Sequence, residues 1–405
     1  MALNKIKDSL HLNSMYLFGS IAMQSILGFL FWGIAARLLP EEIVGKGSEF
    51  VSVATYLSIL GLLGMNHSII YFLPKTQTPN KLINTYFTLP IIISTGIAIG
   101  VSFIGGYHIG WLIGLTVLTT IYAQLQGVFV ALRKSSYAFF KSLLFVGPRL
   151  PLIVIVATFG MSGLLFSWTV AVAIASGVSL FFFLPKLLKG YTPKIALDLE
   201  SIRSTWKYSS GMYLSHLFAF APTYILPVMV TRILGAESNA YFYIAWMVAV
   251  ILFSVSTCIS QALFAEVSNT LNSLRSNFSK AVRLTGFLTV VGILLVFLFG
   301  EKILALFGPN YAIHSTTLLK VLALSSIPVG VVYIYTAVLR ALNKIRELVI
   351  VWAVLAVSTL MGSYYTLPAL GIISIGYVWA LTSTGLAIYV IISLIKRHKI
   401  NWRFI

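Results

Sequence analysis

Long apolar runs separated by short polar stretches make up almost the whole of this 405-residue chain. A helix needs ~20 mostly apolar residues to cross the hydrocarbon core of a bilayer. Twelve runs are long enough, and they predict an all-α, multi-pass membrane protein. The predicted spans are 14–37, 50–73, 83–106, 109–131, 143–160, 163–185, 209–234, 239–265, 283–300, 316–339, 348–367 and 370–395.

The two longest polar stretches carry apolar residues at helical spacing. The stripes are Ile195, Leu199, Ile202 and Trp206 in the first stretch, and Val267, Leu271, Leu274 and Phe278 in the second. One apolar stripe opposite a polar face is typical of a helix that lies on a membrane surface. We therefore predict an interfacial helix in each stretch.

Charge adds an orientation to this picture. Charged residues make up only 9% of the chain, against about a quarter in soluble domains. If the N-terminus is in the cytoplasm, 23 of the 28 Lys and Arg fall on the cytoplasmic side and five fall outside. This count assigns Lys141 to the cytoplasmic loop before the fifth span. Basic residues concentrate on the cytoplasmic side of membrane proteins and attract anionic lipid. This predicts a protein of the cell (plasma or inner) membrane with both termini cytoplasmic and lipids as neighbours, and it removes nucleic acid as a partner.

Short motifs recur between the two halves of the chain. Residues 36–42 (ARLLPEE) end the first span and 231–237 (TRILGAE) end the seventh, 195 residues later; residues 131–133 (ALR) end the fourth and 338–340 (VLR) the tenth, 207 later. The order and spacing predict an N-terminal lobe at 1–190, an amphipathic linker at 191–208 and a C-terminal lobe at 209–405, each lobe with six helices. Transporters built from parallel repeats bind substrate between the repeats. The similarity could also arise by chance in twelve unrelated helices.

Three groups of motifs resemble a known family. They are Phe31-Trp32 with 35–42, Gly45, 61–64 and 72–74 in the first two spans; Phe264-Ala265-Glu266-Val267-Ser268; and Phe307-Gly308-Pro309-Asn310-Tyr311-Ala312. Together they resemble polysaccharide flippases of the Wzx type, in the multidrug/oligosaccharidyl-lipid/polysaccharide exporter (MOP) superfamily. The chain departs from the family pattern at Ala265, where proline is expected.

The resemblance implies a MATE-like fold with two six-helix lobes around a central cavity. It implies a transporter that flips a lipid-linked oligosaccharide, carried on polyprenyl phosphate or pyrophosphate, from the inner to the outer leaflet by alternating access for cell-surface polysaccharide synthesis. A coupling ion, sodium or proton, is compatible with this function, and no cofactor is implied.

Flipping such a substrate requires cations for its phosphates and polar groups for its sugars. Arginine suits phosphate because its planar fork donates two parallel hydrogen bonds and stays charged. The phosphate candidates are Arg149, Arg37, Arg232 and Arg283, and the sugar candidates are Gln24, Asn66, His67, His216 and Gln261. Snorkelling or flanking positions are the alternative for the arginines, and hydrogen bonding between helices is the alternative for the others.

Several function classes are disfavoured by what the sequence lacks. It contains no GxxxxGK[ST] motif for ATP hydrolysis, no cluster with metal-ligand spacing, and no acidic outer loop of the kind a membrane glycosyltransferase uses, so an enzyme is not expected. A cation-coupled multidrug exporter of the same fold stays open, although only Glu49 and Glu266 lie where they could reach a cavity. A membrane assembly protein that transports nothing is the alternative of another class.

Overall fold

The computed structural model describes residues 2–269 and 274–399, except for the side chains of 2–12, 14, 18, 204–209, 265–269, 274–277 and 394–399. Every regular element in this part of the chain is helical. The α-helices are α1 (Ala2–Leu38), α2 (Glu41–Leu62), α3 (Met65–Phe72), α4 (Pro79–Gly105), α5 (Ile109–Ala131), α6 (Ser135–Val156), α7 (Gly160–Val178), α8 (Leu184–Leu187), α9 (Leu199–Leu234), α10 (Ala236–Asn269), α11 (Leu274–Ala305), α12 (Pro309–Ala341), α13 (Ile345–Leu370) and α14 (Ile373–Lys399). Short 3-10 turns follow α3 and α6, and a π-helical turn at Ser179–Phe183 joins α7 to α8.

The structure has ten or eleven candidate membrane crossings among its described residues, against the twelve predicted from the sequence. Among the described residues, ten helical stretches are long and apolar enough to cross a membrane, and α2 with α3 adds a bent eleventh. One stretch, Ser135–Leu187, has 53 residues and would be about 80 Å long as a helix, against ~30 Å of hydrocarbon. It contains both α6 and α7 and is long enough for two crossings. The all-α, multi-pass membrane fold predicted from the sequence is confirmed.

Helix α6 begins eight residues before the predicted start of its span at residue 143. A tight turn sets this start, because Arg133 has a φ of +54° and the Lys134 amide donates back to the Phe129 carbonyl over 2.9 Å. The same turn recurs after α12, where Asn343 has a φ of +54° and the Lys344 amide donates to the Leu339 carbonyl over 2.8 Å. The two turns are 210 residues apart, which is close to the 207-residue spacing of the ALR and VLR motifs that precede them.

The interfacial helix predicted at 191–208 is replaced by an extended segment followed by α9. Residues 188–198, called the strap here, lie along α4. The Asn84 amide donates to the Thr192 carbonyl over 3.1 Å, and Thr88 and Thr85 accept from the amides of Ala196 and Asp198. Because α4 side chains bind the strap's backbone groups, the strap needs no helical hydrogen bonds of its own. Of the two predicted stripes, Trp206, Val267, Leu271 and Leu274 lie outside the described side chains.

Asp198 ends the strap and ties it to α4. The Ser201 hydroxyl donates to its carboxylate over 2.7 Å, and the Lys81 ammonium lies 3.2 Å from it. The Ser201 hydrogen bond, with a further contribution from Lys81, holds the pKa of Asp198 below its ordinary value. A carboxylate of this kind stabilises the folded state when it is charged.

We therefore expect the strap to lose stability in acid. The folded pKa of Asp198 lies below the unfolded value of ~3.9, so its contribution is present above that value and is lost as the pH falls through the folded pKa. The melting temperature of wild type should exceed that of Asp198→Asn at pH 7, and the difference should shrink below about pH 4. Thermal unfolding at constant ionic strength measures it, with exposed Glu200→Gln as control. A difference that stays constant with pH would show that the charge contributes nothing.

The chain divides into two compact units, Met1–Leu217 and Phe218–Ile405, with the division inside α9. The sequence had placed the division at the linker, residues 191–208. In the first unit, a core cluster includes Tyr86, Leu125 and Phe129 together with Tyr191 of the strap. In the second unit, Leu263 and Ala337 belong to a smaller cluster. The strap therefore packs as part of the first unit.

Candidate functional site

Helices α1 and α6 share a seam of small and polar side chains in the first unit. The buried hydroxyls of Ser20 and Ser142 lie 2.8 Å apart. The Gln24 amide donates to the Ser142 hydroxyl over 3.1 Å, and the Tyr122 hydroxyl of α5 donates to the same oxygen over 3.2 Å. Small side chains allow helices to approach closely while their hydroxyls hydrogen-bond across the interface. Ser142 therefore links three helices at the centre of this seam.

Arg149 lies two helical turns beyond Ser142 on α6 and is only 2% exposed. Its guanidinium carbon is 4.1 Å from the ring centre of Trp168, 4.4 Å from that of Phe31 and 4.7 Å from that of Phe145. Cations within ~6 Å of an aromatic face are attracted by ~2 kcal/mol or more when desolvated. Three aromatic rings therefore stabilise a permanently charged group inside the helix bundle.

Lys141 is a second buried cation on α6, with an exposure of 0%. Its ammonium donates to the Tyr122 backbone carbonyl over 2.8 Å and lies 3.6 Å from the centre of the Tyr122 ring. Because α6 begins at Ser135, the sequence-based placement of Lys141 in a cytoplasmic loop was wrong. Among the described residues no carboxylate lies within ion-pair distance of Lys141, and its ammonium contacts the Tyr122 carbonyl and ring instead.

Lys141 and Arg149, called the α6 cation pair here, lie in a region without acidic residues. No Asp or Glu occurs between Glu49 and Asp198, so α3 to α8 contribute cations but no carboxylate. Removing a charge from water costs several kcal/mol unless it is compensated, and two such cations on one helix indicate a use for positive charge. They are about 12 Å apart along the helix axis.

A second group of predicted residues lies at the break between α2 and α3. Leu63 and Gly64 have positive φ angles of 48° and 74°, and the two helices are bent by 44°. His67 stacks on His216 of α9 with ring centres 4.1 Å apart, and the Asn66 amide lies 3.4 Å from the His67 ring. The structure thus brings Asn66, His67 and His216 together in the first unit.

Tyrosine hydroxyls stabilise this break in the helix. In a continuous helix the Leu60 carbonyl would accept a hydrogen bond from the Gly64 amide, but the break removes that geometry. The Tyr213 hydroxyl of α9 donates to Leu60 instead, over 3.1 Å, and the Tyr56 hydroxyl donates to the Leu217 carbonyl over 3.4 Å. Side chains must satisfy such carbonyls because lipid cannot.

The other predicted site residues belong to neither group. Arg37 and Arg232 lie in the last turns of α1 and α9, Arg283 lies on α11 and Gln261 on α10. All four side chains are exposed. Their roles in binding stay predictions, whereas Gln24 shares a seam with Arg149.

Sequence reasoning missed Lys141 and the three aromatic rings around Arg149. The signal was present in the spacing, because Lys141, Ser142, Phe145 and Arg149 lie on one side of a helix that starts at Ser135. A span beginning at residue 143 leaves Lys141 and Ser142 outside. No sequence pattern indicated that Trp168 and Phe31, from two other helices, would meet at Arg149.

No protein-family model and no curated protein matches this sequence. Solved structures match nearly its whole length. An inward-facing multidrug resistance MATE family transporter of the MOP superfamily aligns with a TM-score of 0.71 at 14% identity, over 92% of this chain and 94% of the other. The lipid II flippase MurJ, in an inward closed conformation, aligns with a TM-score of 0.77 at 12% identity, over 95% and 87% of the two chains.

A third neighbour is a MOP superfamily transporter from Pyrococcus furiosus, for which a reversed polarity of the binding pocket suggests a different function. It aligns with a TM-score of 0.64 at 14% identity, over 96% of this chain and 95% of the other. The chain therefore has the fold shared by MATE transporters and MurJ, as the sequence resemblance implied. One fold can serve several substrates, so the function has to be argued from the site.

Proposed function

We propose that this protein is a transporter that flips a lipid-linked oligosaccharide from the inner to the outer leaflet of the cell membrane for cell-surface polysaccharide synthesis. Its substrate is a sugar chain on polyprenyl phosphate or pyrophosphate, moved by alternating access in a Wzx-like manner. Both termini lie in the cytoplasm, as the distribution of Lys and Arg indicates. No catalytic step is required of the protein.

The observation that carries this proposal is the α6 cation pair in a region without acids. A phosphate or pyrophosphate headgroup needs cations, and arginine offers a planar pair of donors. Arg149 and Lys141 are held inside the bundle by aromatic rings rather than exposed at its ends. The likeness to the MurJ flippase is in keeping with a lipid-linked substrate.

A cation-coupled multidrug exporter is the second candidate. The likeness to a MATE transporter supports it, and so does Glu49 on α2. Its side chain is only 6% exposed and accepts a hydrogen bond from the Tyr107 hydroxyl over 2.6 Å. A buried carboxylate suits a cationic drug or a coupling ion such as sodium or a proton. The exporter is the weaker candidate because it is supported by one buried carboxylate, whereas the flippase is supported by the two basic residues of the α6 cation pair.

Translocation in proteoliposomes separates the two candidates. Purified protein is reconstituted with a fluorescent polyprenyl-pyrophosphate oligosaccharide, and in parallel with a cationic dye such as ethidium. We expect wild type to flip the anionic lipid without transporting the dye, and Glu49→Gln to leave flipping unchanged. Two results together would favour the exporter. One is dye transport that Glu49→Gln abolishes, and the other is the absence of flipping for polyprenyl phosphates and pyrophosphates bearing several sugars. If wild type shows neither activity, the result would favour a membrane assembly protein that transports nothing.

A further inference from the structure

A cavity of about 550 Å³ opens between α13 and α14 in the second unit. We call it the α13–α14 groove, defined by Glu347, Ile350, Val354, Leu381 and Gly385. Apolar side chains form most of its wall. Leu381 is 74% exposed and Ile350 51% exposed, so the groove is open at the surface and its opening is apolar.

The length of the groove corresponds to one leaflet. Its wall along α13 runs from Glu347 to Ser358, and the eleven helical rises between these two residues span about 16 Å. The hydrocarbon core is ~30 Å thick, so the groove reaches from one membrane surface to about the midplane. At Gly385 a Cβ would have no neighbour within 4 Å, which shows that the missing side chain leaves room in the groove.

The mouth of the groove carries both signs of charge. The Glu347 carboxylate lines the cavity, accepts a hydrogen bond from the Tyr335 hydroxyl over 3.4 Å, and lies 4.0 Å from the Lys344 ammonium. Glu347 is the only acidic residue between Arg340 and the end of the chain. An occupant with a positive and a negative group would complement this mouth.

We propose that the α13–α14 groove binds an aminophospholipid, a lipid with a phosphodiester and a primary ammonium group. One acyl chain fills the groove, the ammonium contacts Glu347, and the phosphate contacts Lys344. Phosphatidylglycerol and a polyprenyl pyrophosphate bring only negative charge to Glu347, and the quaternary ammonium of phosphatidylcholine has no N–H to donate to it. The site belongs to the leaflet on the Glu347 side and does not depend on which substrate is transported.

Native mass spectrometry of the full-length protein tests this site. The purified chain is incubated with phosphatidylethanolamine, phosphatidylcholine or phosphatidylglycerol of identical acyl chains. We expect about tenfold greater retention of phosphatidylethanolamine than of the other two, which corresponds to ~1.4 kcal/mol. Glu347→Gln should abolish this preference without changing the shape of the groove. Gly385→Leu should lower retention of all three lipids, whereas Gly286→Leu, on α11 and also in open space, should not.

Other results would overturn the proposal. Equal retention of the three lipids by wild type, or a preference for phosphatidylglycerol, would remove the assigned contact with Glu347. Displacement of phosphatidylethanolamine by an equal concentration of polyprenyl pyrophosphate would assign the groove to the transported lipid instead. If Gly385→Leu does not accumulate in the membrane, Glu347→Gln decides the question alone.

Discussion

Replacing Arg149 by Lys should lower flipping of a polyprenyl-pyrophosphate oligosaccharide nearly as much as replacing it by Gln, by about tenfold or more. Lysine keeps the charge but lacks the planar fork that binds phosphate and stacks on aromatic rings. The three rings lie 4.1 to 4.7 Å from the guanidinium carbon, so the site is shaped for a flat cation. Initial flipping rates in proteoliposomes, normalised to reconstituted protein, measure the effect.

The matched control is the pair Arg203→Lys and Arg203→Gln, because Arg203 is an exposed arginine on α9 that is not among the predicted binding residues. We expect both variants to flip at the wild-type rate. Thermal unfolding of each Arg149 variant separates loss of function from loss of fold. A folded Arg149→Gln variant that flips normally would refute a role for Arg149 in substrate binding. An Arg149→Lys variant that flips normally would show that only its charge is used.

Gly127→Ala should destabilise the first unit by ~1–3 kcal/mol, the usual cost of overpacking. A Cβ at Gly127 of α5 would lie 2.2 Å from the Asn66 carbonyl oxygen and 2.8 Å from a methyl carbon of Ile69. The carbonyl belongs to the backbone of α3, so relief requires α3 to move away from α5. His67 would move with α3, which would disturb its stacking on His216 of α9. We expect a lower melting temperature and slower flipping.

Gly114→Ala is the control for this prediction, because Gly114 lies on the same helix and a Cβ there would have no neighbour within 4 Å. Alanine favours a helix by ~1 kcal/mol over glycine, so this variant should melt at the wild-type temperature or slightly above it. If Gly127→Ala and Gly114→Ala melt at the same temperature, the close contact between α3 and α5 contributes no constraint.

The sequence by itself determined the class of fold and most of the helices. A bilayer demands ~20 apolar residues per crossing, so run length alone locates helices such as α5, whose bounds Ile109–Ala131 equal those predicted. Boundaries were less well predicted where polar residues lie inside a helix, as at Lys141, because a hydropathy pattern treats a charge as the end of a span. Likewise, the apolar spacing of residues in the strap predicted a helix. The strap is extended instead because α4 side chains bind its backbone.

Only the tertiary structure decided which helix faces meet. A soluble helix shows its buried face as an apolar stripe, but a helix in lipid is apolar on every side, and small residues and rare polar groups mark its contacts. The sequence therefore selected Gln24 and Arg149 separately without placing them on one seam. It selected Asn66, His67 and His216 without showing that they meet at a broken helix. Those encounters depend on packing between segments up to about 150 residues apart, such as His67 and His216, which no local pattern encodes.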